Sequence, residues 1–374
     1  MAVEVRIVTT RKDLTRFVKF PFALYEACPN WVPPLIKDER STLRVDRNPA
    51  FEFCESRYWL ALREGKVVGR IAGIINEKYI VKWNARYARF GWIDFVDDHE
   101  ASTSLLYAVE QWARDKGMRG IHGPMGFTNL DSAGMLIEGF EEIGSSMDTY
   151  NYEYYPRHLV DNGYGKDTDW VGYELTVPRE IPAKVIRVGQ LSLKRGDLTL
   201  VQAKRPKELL PYANQIFDLL DEAYAHLYGT VELTRKQVDA YIKQYFSYID
   251  PRFSKVVVDC DGKLIAFGLA FPSLSVPLQK ARGRLFPFGM FHLLHALKHP
   301  TKIDLALVAV RPEYQGRGIP AIMLAEVNKA CIEAGVVSAE AGRELEDNMP
   351  VQSLWKSYNA RQHKRRRAYV KVLT

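Results

Sequence analysis

The chain has 374 residues, 47% apolar and 26% charged, which is enough apolar mass for two packed domains and too much for a disordered tail. Its net charge of +7 suits an anionic ligand, a membrane surface or nucleic acid without choosing among them. Four dispersed cysteines (Cys28, Cys54, Cys260, Cys331) exclude a disulfide frame or zinc cluster and read as reduced, buried thiols; no apolar run nears the ~18 residues of a membrane span, and the N-terminus lacks a signal pattern.

In chain order, a strand is expected at 3–8, a helix at 11–27, and a hairpin of strands 58–63 and 67–75 around Glu64-Gly65-Lys66. A strand at 90–95, a helix at 101–116, a strand at 120–124, a short helix at 155–162 and a strand at 170–175 follow. The stretch 178–196, with its proline and glycines, reads as a linker. Beyond it come a strand at 198–203, helices at 206–227 and 235–245, and a hairpin of strands 254–260 and 263–271 around Asp261-Gly262. A strand at 303–310, a helix at 320–334, a strand at 336–341, a helix at 351–358 and a strand at 368–373 close the chain. The two halves repeat one order of elements, so the expected division is a domain at 1–177, a linker at 178–196 and a domain at 197–374.

Chemistry is most legible at 308–321. An apolar, β-branched run ends at Val308-Ala309-Val310, and Arg311-Pro312-Glu313-Tyr314 leads to Gln315-Gly316-Arg317-Gly318-Ile319-Pro320-Ala321. Two glycines let the backbone turn and aim its N–H groups at one point, where the following helix adds its partial positive charge. A Walker loop would need Gly-Lys-Ser/Thr, and the dinucleotide fingerprint a third glycine. The pattern Gln315-x-x-Gly318-x-Pro320 resembles the pyrophosphate loop of the GNAT (GCN5-related N-acetyltransferase) superfamily. That resemblance implies two acyl-CoA N-acyltransferase domains in tandem, with a mixed sheet in each α/β unit. Acyl-CoA would be the cosubstrate, held by Gln315, Gly316, Arg317, Gly318, Ile319, Pro320 and Ala321, and no metal is implied. Pro320 departs from the family's Gly or Ala and removes one donor. In the first half the matching stretch is Asp97-Asp98-His99-Glu100-Ala101-Ser102, whose carboxylates repel a pyrophosphate. The first copy is therefore expected to be degenerate.

Acyl transfer to an amine needs a base, donors for the thioester carbonyl and an acid for the departing thiolate. The resemblance assigns the donors to the backbone of Val308, Ala309 or Val310. Asp304, eleven residues before Gln315, and Glu340 on the neighbouring strand are the candidate bases, each also readable as a carboxylate solvating a strand end. The family's acid is a tyrosine seven residues after an asparagine. Asn348 is present, but the seventh residue on is Trp355, so Tyr358, one turn further, is the substitute and Trp355 and Asn348 are read as lining the cofactor arm.

Three further segments carry expectations. Lys364-Arg365-Arg366-Arg367 is a candidate contact for a phosphate or an anionic membrane. The insert 272–301 joins basic residues to Leu285-Phe286-Pro287-Phe288 and a helical run, which fits peripheral membrane contact through 279–299 or a lid over an acyl chain. Tyr150-Asn151-Tyr152-Glu153-Tyr154-Tyr155 is expected to line an acceptor cleft. The reading is an acyl-CoA-dependent N-acyltransferase acting on a small-molecule or lipid-like amine, cytoplasmic or peripheral at the inner membrane face, with nucleic acid not the expected partner. A Fem-like transferase using aminoacyl-tRNA and a non-catalytic ligand-binding or scaffold protein stand as alternatives.

Overall fold

Both halves fold as mixed sheets flanked by helices, as the alternation of elements predicts. The computed structural model describes residues 2–373, the side chains of Tyr245 and Ser247 apart. It divides into two compact units. The first takes the chain up to Trp170, then Ser275–Leu293, then the stretch from Lys364 onward; the second holds Val171–Leu274 and Leu294–His363. This differs from the expected division at 177 and 197. Part of the insert and most of the last strand belong to the first unit. The stretch taken as a linker holds a 14-residue helix, Ala183–Gly196, closed by Asp197 in the left-handed region. Its buried face is Val185, Gly189 and Ser192, at helical spacing, so the glycine that reads as loop punctuation is a packing site.

In the first unit, β1 (Glu4–Ile7), β2 (Cys54–Arg63), β3 (Lys66–Asn76), β4 (Tyr87–Phe95) and β5 (Gly120–Gly123) lie side by side in chain order. The first four are antiparallel neighbours, and β4 and β5 are parallel. Arg63 pairs with Lys66, and Glu64 and Gly65 between them both have positive φ, the two-residue turn whose twist matches a hairpin. Trp59, Phe90, Phe95 and Trp112 of the helix His99–Asp115 centre the main core. The run β6 (Met135–Glu138) follows, and β7 (Gly165–Thr176) carries the chain across the unit boundary.

The first copy has closed its own site. β4 and β5 pair only from Tyr87↔Gly120 to Arg89↔His122. Beyond that point the chain itself lies along β4: Met125 N–H donates to the Phe90 carbonyl at 2.8 Å. The fit is so close that a Cβ on Gly91 would meet the Met125 carbonyl at 2.4 Å. At the start of the helix His99–Asp115, the Asp98 carboxylate accepts from the N–H groups of Glu100 and Ala101 and pairs with Arg63 at 2.6 Å. The donors an anion would use are thus taken by a side chain.

In the second unit, β8 (Thr199–Leu200), β9 (Lys255–Val258), β10 (Leu264–Pro272) and β11 (Lys302–Val310) are antiparallel neighbours, and β12 (Ser338–Leu345) runs parallel to β11. The helix Arg235–Tyr245 opens with a capping box between Thr234 and Gln237. Ile303, Cys331, Ala339, Ala341 and Trp355 share one core, and Ile319, Ile322 and Met323 share another with Val257 and Ile265. The last strand, β13 (Ala360–Val372), runs antiparallel to β5 over residues 369–372.

Candidate active site

The glycine loop is built as its sequence requires. A short 3-10 turn, Pro312–Tyr314, leads from β11 into Gln315-Gly316-Arg317-Gly318, and the helix Ile319–Ala334 starts at once. Gly316 and Gly318 have φ of 72° and 76°, values glycine adopts without a Cβ clash. Gly318 is the N-cap, with no side chain capping the helix. Among the described residues, no hydrogen bond engages the N–H groups of Gly316, Arg317 or Gly318. They and the helix dipole are open to an anion. Pro320 is the second helical residue, where a missing N–H leaves no helical bond unmade. The Arg317 guanidinium lies over the Tyr314 ring at 5.1 Å and adds exposed positive charge.

The helix Ala183–Gly196 holds this loop from behind. Ser192 Oγ lies 2.6 Å from the Arg317 carbonyl. Gly189 allows the approach: a Cβ there would lie 3.3 Å from the backbone of Ala321 and Ile322. A Cβ on Gly318 would meet Val188 Cγ1 at 2.6 Å, so glycine is required there for space as well as for φ.

Beside the loop the sheet opens. β11 and β12 pair from Lys302↔Ser338 to Leu305↔Ala341 and then part, although both strands run on. A bulge marks the place: against β10 the register slips between Leu269 and Ala270, leaving Ala306 as the extra residue. From Ala306 to Val310, the edge of β11 turned from β10 presents backbone groups that β12 does not take up. Tyr224, at the end of the helix Ala213–Tyr224, donates its hydroxyl to the Val308 carbonyl at 3.0 Å.

A carboxyl stands on the other side of this notch. Glu344 of β12 is buried, and its Oε1 accepts from Trp355 Nε1 at 2.7 Å. Its Oε2 is buried with no hydrogen-bond partner. Burial pushes the Glu344 carboxyl up to about 7, against the opposing pull of the Trp355 bond. Burial likewise lifts the Tyr224 hydroxyl to about 12; the Val308 bond opposes this, while the charge of Glu344 adds to it and that of Arg343 offsets it. Glu344, Arg343, Tyr224 and Val308 therefore act on one another where the strands part.

A glycine loop with open N–H groups at a helix start, next to a bulged strand parting from its parallel neighbour, is the arrangement to compare with known proteins. Residues 213–359 match the acetyltransferase (GNAT) family. This part of the chain resembles a GNAT-family domain. The chain is 27% identical over 377 residues to Protein YghO of Escherichia coli, covering 99% of this chain and 95% of that one. It is 26% identical over 379 residues to a bacterial ceramide synthase of Caulobacter vibrioides, with coverage of 98% and 96%. Among solved structures it is similar to a tandem GNAT protein from the clavulanic acid biosynthesis pathway, with a TM-score of 0.58 at 14% identity over 100% of this chain and 99% of that one. It is also similar to a GCN5-related N-acetyltransferase from Sphaerobacter thermophilus, with a TM-score of 0.54 at 14% identity and coverage of 99% and 96%. The fold is that of the tandem GNAT proteins.

Within the GNAT-like domain, the residues singled out from sequence have unequal fates. Gln315, Gly316, Arg317, Gly318, Ile319, Pro320 and Ala321 form the loop as expected, although Ile319 turns inward and is buried. Val308, Ala309 and Val310 lie in the part of β11 that β12 does not pair, and the Val308 and Val310 carbonyls accept from the Tyr224 hydroxyl at 3.0 Å and from Gln315 Nε2 at 3.2 Å. Asp304 and Glu340 do not face the notch. They are opposite one another in the paired part of the sheet, and Lys302 Nζ lies 2.7 Å from Glu340 Oε2. Burial works against the Lys302 ammonium, but Glu340, and after it Asp304, hold it above its ordinary value. Both carboxylates thus belong to a buried ion cluster, and the carboxyl at the strand opening is Glu344, which the sequence does not single out. Trp355 is a correction too: it is buried in the core with its indole N–H committed to Glu344, not laid along a cofactor. Asn348 is half-buried at the start of the short helix Met349–Gln352. Tyr358 is held by Asn328, whose Nδ2 donates to the Tyr358 hydroxyl at 2.7 Å, and burial raises its pKa. Its own proton remains available to donate.

The sequence reading missed Glu344 because it ended the strand at 341. β12 continues to Leu345, and Arg343, at φ 54°, bends it there. Outside the notch, the run Lys364-Arg365-Arg366-Arg367 is not a free cationic patch. Lys364 and Arg366 are buried, and Arg365 and Arg367 both bind Asp169, which is fully buried. The tyrosine run packs inward around Tyr25, and the Tyr155 hydroxyl is 2.8 Å from that of Tyr25. Of the cysteines, Cys54 and Cys331 are buried while Cys260 is exposed. Burial pushes the Cys331 thiol up to about 12, which makes it a poor nucleophile.

Proposed function

We propose that this protein is an N-acyltransferase that moves an acyl group from a coenzyme A thioester, held at Gln315–Ala321, to the amine of a lipid-like acceptor. The observation that carries the reading is the pairing of an open, positively polarised loop with a buried carboxyl, one of whose oxygens has no partner among the described residues, at the same strand opening. The residues fit the cosubstrate. Gly316, Arg317 and Gly318 offer N–H donors to a pyrophosphate, and the part of β11 that β12 does not pair offers backbone groups to an amide-containing arm. A thioester bound there supplies an activated carbonyl carbon.

The chain's own residues supply the remaining steps. Glu344 in its carboxylate form accepts a proton from the acceptor ammonium, and its value of about 7 suits that exchange near neutrality. Backbone N–H groups of Val308–Val310 polarise the carbonyl oxygen. The C–N bond forms and the C–S bond breaks; the sulfur takes a proton for which Tyr358, steadied by Asn328, is the candidate donor, and the nitrogen's second proton, released as the amide forms, restores the Tyr358 hydroxyl through solvent. With Cys331 buried and its thiol kept protonated, direct transfer is favoured over an acyl-enzyme. Support for the acceptor class comes from the relative named bacterial ceramide synthase, which matches nearly the whole chain. A ceramide is the amide of a fatty acid and a long-chain amine.

A thermal-shift series with coenzyme A esters from acetyl to palmitoyl tests the donor. At ~100 times its Kd a ligand stabilises the folded state by about 2.7 kcal/mol, a shift of several degrees. The expected result is a shift that grows with chain length. No shift with any ester would overturn the coenzyme A assignment.

A further inference from the structure

The segment after β10 uses its largest apolar side chains on the outside. Phe286, Phe288 and Phe291 are 76%, 74% and 68% exposed, and Leu294, one turn beyond Phe291, is 57% exposed. Single exposed apolar residues are ordinary, but four large ones within nine residues form a patch. Phe288, Phe291 and Leu294 recur every three residues, a stripe along the outer side of the helix Gly289–Lys298. The inner side of that helix is buried through Gly289 and Leu293. The stripe is thus the outer face of a docked helix and not a sign of a loose one.

The loop before it is fastened to the first unit at several points. Gln279 Nε2 donates to the carbonyls of Pro29 and Trp31 at 2.7 and 3.0 Å. Ile36 N–H donates to the Gly283 carbonyl at 3.0 Å. Gly283, at φ 74°, lies so near the Phe22 ring that a Cβ would sit 2.4 Å from it. The phenylalanines are therefore held outward by a fixed backbone.

Charge completes the pattern. No aspartate or glutamate occurs from residue 262 to residue 303, while Lys280, Arg282, Arg284 and Lys298 flank the phenylalanines and are exposed. A segment without carboxylates that offers aromatic rings between cations is complementary to an anionic bilayer, where rings enter the headgroup boundary and long basic side chains reach phosphates.

We propose that residues 280–298 form an interfacial anchor that seats this protein on an anionic lipid membrane, with Phe286, Phe288, Phe291 and Leu294 entering the headgroup–acyl boundary. This goes beyond the catalytic reading and stands on the surface alone, so its test needs no turnover.

The test is flotation of the full chain with vesicles of phosphatidylcholine, with and without phosphatidylglycerol, at low and high salt. Binding is expected on the anionic vesicles and weaker at high salt. The triple variant Phe286→Ser, Phe288→Ser, Phe291→Ser alters only exposed positions and should lower partitioning on the order of tenfold or more. Arg282→Gln with Arg284→Gln should lower it about fivefold per charge removed. Circular dichroism and sedimentation velocity accompany each variant. Failure of the folded native chain to float with anionic vesicles overturns the proposal, as does a triple variant that binds as well as the native chain. A triple variant that merely converts a dimer to a monomer, with no vesicle binding by either, also overturns it in favour of self-association.

Discussion

Replacing Glu344 with glutamine tests the site most directly, because two independent readouts follow from one carboxyl. The substitution keeps the shape and leaves an amide oxygen to accept from Trp355 Nε1. Only the charge and the exchangeable proton are lost. The carboxyl rises from an ordinary 4.5 to about 7 in the folded protein, and at about 1.4 kcal/mol per pH unit this is worth about 3 kcal/mol. The sign follows from proton counting. Below about pH 4.5 the group is protonated in folded and unfolded chains alike. Between about 4.5 and about 7 the folded state keeps a proton that the unfolded state has released, so its contribution to stability is lost as pH rises. Glu344→Gln, neutral throughout, escapes that loss. Urea denaturation across this window should show the variant gaining on the native protein by about 3 kcal/mol from the acid to the neutral end. Over the same range kcat/KM of the native protein should rise, with its midpoint near pH 7 and its plateau above it, and the variant should lose about 10²–10⁴-fold in rate together with that limb. Turnover within threefold of native, roughly the resolution of such assays, would remove Glu344 from the mechanism. A flat stability difference would refute the burial argument itself.

Three other outcomes can be checked. Gly318→Ala meets Val188 and needs φ of 76°, so it should lower stability by about 1–3 kcal/mol, whereas Gly316→Ala, with open space around it, should lose only about 1 kcal/mol; paired urea titrations separate the two. Ser192→Ala removes the hydroxyl that reaches the Arg317 carbonyl, so it should raise KM for the acyl donor by severalfold with kcat nearly unchanged. Asp169→Asn strips the shared partner of Arg365 and Arg367, and calorimetry should show a loss of about 2–4 kcal/mol at neutral pH.

Much of the fold could be read from local chemistry, and the failures have physical causes. The hairpin at Glu64-Gly65 and the turn into the helix after Gly318 were legible because left-handed backbone leaves a mark in residue type. The helix Ala183–Gly196 was not, because a helix that packs closely uses small residues where periodicity looks for large ones. The basic run at 364–367 misled for the opposite reason. Four adjacent cations look like a surface, yet alternation along β13 buries two of them, and Asp169, nearly two hundred residues earlier in the chain, binds the others. Glu344 was missed in the same way. Asp304 and Glu340 have the right spacing from the loop, but Lys302, two residues from Asp304, gathers both into an ion cluster. What marks Glu344 is its burial, a property of its surroundings that no spacing encodes.

The two copies together explain why one site survives. Each has a parallel strand pair that parts and a helix that begins beside the parting. In the first copy Asp98 satisfies the helix start and Met125 hydrogen-bonds along the bared strand, so the donors a cosubstrate would use are already occupied within the chain. That arrangement stabilises the fold in the absence of any ligand. Among the described residues, the second copy leaves Gly318 without a side-chain cap and 306–310 of β11 unpaired by β12, and it keeps a carboxyl buried with one oxygen unbonded. Each of those features is unfavourable for an unliganded domain and favourable for one that binds an anionic thioester and moves a proton. Filling the second site as the first is filled, for example by Gly318→Asp to supply the missing cap, should therefore abolish binding of coenzyme A esters. The folded domain would need to remain intact for this comparison, which Ser192 and Val188 behind the loop make demanding. Gln315→Asp, at an exposed position of the same loop, provides the second variant: added negative charge should weaken ester binding about tenfold without touching the core, and unchanged binding would place the anion elsewhere.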